Sequence, residues 1–149
     1  MPHQEKNIYA SLISAALIFG IYFWYVFGMY QDGRFDGAEA NSLIGKSILG
    51  LIIGGIIINI IMHIVINIVF AAVENDPKPS FVVDERDKLI ELRALRVSYY
   101  VFGAGYVVSM IALAMGQTTF MVFNLIILSC AIATVTEALF QLALYRRGF

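Results

Sequence analysis

The chain has 149 residues, of which 60% are hydrophobic and 14% charged, and its mean hydropathy is +0.79. Soluble domains run near about 50% apolar and about 25% charged, and a globule this small has too little interior to hide so much apolar surface, so lipid is the expected solvent. That composition excludes disordered, fibrous and disulfide-scaffold chains, and a formal charge of −1 gives no global attraction to nucleic acid, so direct nucleic-acid binding is not expected.

The first apolar run, residues 8–30, carries no charge and is long enough to cross roughly 30 Å of hydrocarbon as a helix. It ends in Tyr22, Phe23, Trp24, Tyr25, Phe27 and Tyr30, the residue types of an interfacial belt. A cleavable signal peptide is the competing reading, since Ala38-Glu39-Ala40 has the small-x-small form. The apolar run is too long for one and is separated from that site by polar residues. Residues 32–37 (DGRFDG) then read as a turn-rich loop.

The second run starts near Leu43, continues to Val73 and is interrupted only by Lys46; we place its span at about 46–73, longer than a bilayer needs, so it must tilt or protrude. Gly50-x-x-x-Gly54 is a spacing that lets helices approach closely in lipid, either within one bundle or between two copies of the chain. A polar connector follows, residues 74–96. Pro77 and Pro79 stop a helix near its beginning. Asp84 then reads as an N-cap, with acidic residues Glu85 and Asp87 at the positive end of the helix dipole. No breaker separates Glu85 from the third apolar run, 97–115, so one helix is expected to begin in water and enter the membrane.

Gly116-Gln117-Thr118-Thr119 is the only gap before the fourth run, 120–145, and so short a link makes the third and fourth helices antiparallel neighbours. Within that run Cys130, the single cysteine, can form neither an intrachain disulfide nor a thiolate metal cage and reads as a small packed hydrophobe. Basic residues fix the expected orientation. Lys6, Lys78, Arg86, Lys88, Arg93, Arg96, Arg146 and Arg147 lie on one side of such a four-span chain, against Arg34 and Lys46 on the other. The positive-inside rule then puts both termini and residues 74–96 in the cytoplasm. The fold expected is a single all-α domain over 1–149: a polytopic membrane protein of four transmembrane helices in two antiparallel hairpins.

Polar groups inside a span need an account, because each is costly in lipid. In the second span Asn59, His63 and Asn67 share one helix face, as do Thr134, Glu137 and Gln141 in the fourth. His63, Asn67 and Glu137 also lie at depths that agree within about one helical turn. Three readings stand: a proton- or cation-handling cluster titrating on Glu137 with His63 as partner, a hydrogen-bonded knot that fixes helix register, or an ion pair of Glu137 with Arg146 or Arg147. His63 alone does not make a metal site, His3 lies near the terminus, and the chain has neither an H-x-x-x-H or G-x-S-x-G motif nor a phosphate-binding glycine loop. No enzyme activity and no cofactor are expected.

In the connector, acids (Asp84, Glu85, Asp87, Glu91) alternate with bases (Arg86, Lys88, Arg93, Arg96) beside Leu89, Leu92 and Leu95. Such a segment is either a solvated helix extension at the headgroups or a docking surface for a cytoplasmic protein. Its pattern, Asp84-Glu85-Arg86-Asp87 followed by Ile90-Glu91-x-Arg93-Ala94 and Arg96-x-Ser98-Tyr99 between two spans and two more, resembles an uncharacterised family of small prokaryotic four-helix membrane proteins. That resemblance brings no catalytic residues. Because members accompany small helix-turn-helix regulators, it implies a non-enzymatic inner-membrane protein whose connector recruits or restrains such a regulator. Asp84, Glu85, Arg86, Asp87, Glu91 and Arg93 are the contact residues expected, with a small proton- or cation-coupled transporter or channel as the alternative.

Overall fold

A computed structural model of the chain describes residues 2–74 and 85–146. Its elements are four α-helices: α1 (Pro2–Gln31), α2 (Ala40–Glu74), α3 (Glu85–Ala114) and α4 (Thr119–Arg146). All four are long and apolar enough to cross a membrane. α1, α2 and α3 begin before the apolar segments that define them, because the polar residues at their starts do not break a helix. α1 starts at Pro2, a residue suited to a first helical turn, and α2 begins six residues before Lys46.

Two glycines end helices. Gly33 and Gly116 take φ of 67° and 81°, the left-handed region that other residues enter at a cost. At the first, the Gly33 and Arg34 amides donate to the Tyr30 and Met29 carbonyls; at the second, the Gly116 and Gln117 amides donate to Leu113 and Ala112. Both are Schellman caps, which turn the chain sharply while satisfying the last carbonyls. Thr118 then starts α4, its Oγ1 accepting from the Met121 amide at 3.3 Å.

α4 is the hub: it packs on α3, α1 and, least extensively, α2, whereas α3 touches neither α1 nor α2 among the described residues. The α3–α4 seam is built of small side chains. Ala94, Ser98 and Ser109 of α3 and Ser129 and Ala133 of α4 are buried, and a Cβ added at Gly105 would collide with the Ser129 side chain and lie 3.4 Å from its Cα. Backbones that close gain dispersion and weak hydrogen bonding, the forces left to helices in lipid, where burying oil against oil gains nothing. Between α1 and α4 the contact is less extensive, and its side chains are larger and aromatic. Tyr22, Val26 and Met29 pack on Ile127, and Phe120 stacks on Tyr30 at 5.0 Å and meets Phe35 at 4.3 Å. Of the aromatic cluster that closes the first run, Tyr22 turns inward while Trp24, Tyr25, Phe27 and Tyr30 face out.

α2 differs from its neighbours. No residue of its most apolar stretch is buried; a half-buried stripe of Leu51, Gly55, Ile58 and Met62 is its seat on the bundle, with Gly55 against Ile18. Ile44 is buried and Ile48 packs against the Tyr22 cluster, whereas Ile52, Ile53, Ile56, Ile57, Ile60, Ile61, Ile64 and Ile68 face outward.

Candidate functional site

At the end of the bundle where α4 finishes and α3 begins, polar side chains tie three helices together. The Tyr145 hydroxyl donates to Asp87 Oδ1 at 3.2 Å, and Arg146 Nη2 donates to the Tyr9 hydroxyl at 3.0 Å. Both bonds join residues far apart in sequence, so each fixes the relation of α4 to a neighbour.

The helical turn sorts the charged residues of α3 onto two faces. Ile90 and Ala94 are fully buried, and Arg86, Asp87 and Leu95 are half-buried beside them. Arg86 Nε and Nη2 are buried without a hydrogen-bond partner among the described residues. These nitrogens form one edge of the guanidinium, the fork that binds a carboxylate or phosphate in two-point fashion. Opposite them, Glu85, Lys88, Leu89, Leu92, Arg93 and Arg96 are exposed at spacings of three and four, which makes one continuous face. Of the six expected contact residues, Glu85, Glu91 and Arg93 are therefore exposed, Asp87 is bonded to Tyr145, Arg86 turns toward the bundle, and Asp84 lies outside the described residues.

The intramembrane polar residues are more dispersed than their shared depth suggests. Asn59 and His63 are exposed, off the stripe that seats α2, and the Asn67 side chain lies outside what is described. Glu137 and Gln141 are half-buried in α4, and neither His63 nor Glu137 makes a hydrogen bond or ion pair among the described residues. Thr134 is satisfied by its own helix, donating to the Cys130 carbonyl at 2.9 Å, as Ser109 and Ser129 are by Gly105 and Leu125. Arg146, one of the two cations considered for Glu137, is bonded to Tyr9; Arg147 lies outside the described residues. No group of three or more His, Cys, Asp or Glu side chains suited to a metal ion occurs among the described residues.

Among the described residues, nothing lies within 4 Å of a Cβ built at Gly50 or Gly54. Both line a cavity of about 400 Å³ between α1 and α2. Sequence reasoning missed the residues that do the tying, Tyr9, Tyr145 and the Gly105–Ser129 contact. It also missed Tyr22, whose hydroxyl lies 3.5 Å from Asn124 Oδ1. The small-residue face at 94, 98, 105 and 109 is visible in the sequence as a helical period, but only Gly105 in it is a glycine.

Compared with known proteins, the chain matches no family model, no curated protein and no solved structure. What the fold and composition define is a class: a four-helix protein of multi-pass membrane type.

Proposed function

We propose that this chain is a non-enzymatic integral membrane protein of the plasma (inner) membrane, that its helices are paired as two antiparallel hairpins with both termini in the cytoplasm, and that the polar first part of α3 docks a cytoplasmic protein. The observation that carries the reading is the division of α3 into two faces. One is committed to α4 through Ile90, Ala94 and Asp87, and the other presents Lys88, Leu89, Leu92 and Arg96 with charge of both signs around two exposed leucines. Interface centres take this form, apolar anchors within a charged rim. The excess of basic residues on the termini and connector supports the orientation, and the likeness of residues 84–99 to the small prokaryotic family supports a helix-turn-helix regulator as the partner class.

A photo-crosslinking residue at Leu92, in intact cells, is the test. It should join the chain to one soluble regulator, and the adduct should vanish when Lys88→Glu and Arg96→Glu are added while membrane insertion stays intact. An adduct that survives both charge reversals refutes the docking face. One rival reading also has an observation behind it: Glu137 is a half-buried carboxylate in a spanning helix with no bonded partner among the described residues, and such groups mark proton or cation pathways. A pH-dependent flux in proteoliposomes, lost in Glu137→Gln, would establish that pathway, with His63 and Asn67 as its other members; parent protein that conducts nothing removes it.

A further inference from the structure

The groove between α1 and α2 has a definite shape and polarity. Its volume is about 400 Å³, within the range of small-ligand sites. Ile18, Ile21 and Tyr25 of α1 form one wall, and Gly50 and Gly54 of α2 form the other. The glycines leave that wall open, since nothing stands within 4 Å of where either Cβ would be. Along α1 the lining runs from Met29 to Ile18, about 16 Å at helical rise, which is the depth of one leaflet of hydrocarbon, about 15 Å.

Charge is confined to one end. Lys46 is the only charged residue lining this groove. It is exposed and makes no ion pair among the described residues. It stands less than two turns into α2, close to the polar loop of residues 32–39, where a span meets water. A second groove at the same end shares Tyr25 and Met29 with the first and adds Trp24, Asp32 and Arg34. An apolar trough as deep as a leaflet, with a lone ammonium at its mouth, has the polarity of a phospholipid: tail below, phosphate above.

We propose that this groove is a binding site for one phospholipid with an anionic headgroup, an acyl chain lying along Gly50 and Gly54 and the phosphate at Lys46. A lysine stem reaching along apolar surface with its ammonium at the interface suits that placement. The proposal stands apart from the docking role of α3, which lies at the opposite end of the helices, so either can fail alone.

The test uses the whole chain in nanodiscs of equal phosphatidylglycerol and phosphatidylcholine, extracted into mild detergent, with retained lipid read by native mass spectrometry. The parent should keep one phosphatidylglycerol, preferred over phosphatidylcholine about fivefold, the weight of a single basic residue beside an anionic headgroup. Lys46→Gln should keep lipid but lose the preference. Gly54→Leu fills the trough and should lower retention about tenfold. Gly50→Leu, on the same wall, serves as the second filling variant, and circular dichroism confirms the helices in each. Equal retention of the two lipids by the parent overturns the proposal, as does undiminished retention in a folded leucine variant.

Discussion

The α3–α4 seam and the outer face of α2 are the two extremes of this molecule. The seam is made of alanine, serine and glycine, and its helices come so close that one added methyl group has no room. The outer face of α2 is rich in isoleucine, and among the described residues those side chains are exposed. In water the order would be reversed, since the most apolar helix would be the most buried. The contrast follows from the solvent: a leucine or isoleucine leaving lipid for protein gains little, whereas small residues let two backbones approach.

That comparison can be broken at the seam first. Gly105→Ile should cost about 3 kcal/mol in reversible unfolding in mixed micelles, as overpacking against a backbone neighbour does. Gly105→Ala should cost less, and combining it with Ser129→Gly should recover much of the loss, because the colliding atoms belong to the Ser129 side chain. If Gly105→Ala is as harmless as Gly54→Ala, the seam is not the tight one. Next in size is Gly116→Ala, which forces a left-handed φ on alanine and should destabilise the chain by about 1–2 kcal/mol, read from the same unfolding curves. Tyr145→Phe removes one hydrogen bond between α4 and α3 and should cost about 0.6 kcal/mol, the average for interhelical bonds in membranes. Smallest is Ile56→Ala with Ile60→Ala on α2, expected to change bundle stability by under about 0.5 kcal/mol because lipid covers both residues. A large loss there would mean that something other than lipid packs on α2.

Much of this architecture was legible in the sequence. Four apolar runs and a four-residue link specify four helices, because span length is a local property; the stop expected at Pro77 and Pro79 lies outside the described residues. The continuity of α3 from Glu85 through the apolar run was also readable, since no residue there disfavours a helix. Pairing was less so. Gly50-x-x-x-Gly54 matches a packing spacing, yet both residues line a groove, while Gly105 closes on Ser129 within a mixed run of alanine and serine. Which small face meets a partner depends on how the helices rotate about their axes, and that is decided by every contact at once. The same holds for the charged connector: alternation of sign was plain, but the division of Asp87 from Lys88 into bonded and exposed faces needed the position of Tyr145. His63 and Glu137 were expected at similar depth and still make no hydrogen bond or ion pair among the described residues, because depth fixes one coordinate of three.

The unbroken course of α3 has a mechanical consequence. Thirty residues of continuous helix extend about 45 Å, packed on α4 along the seam and bonded to it again at the base through Asp87. A tilt or roll imposed on the apolar part of such a helix is carried along its axis to Lys88 and Leu92 in its polar part.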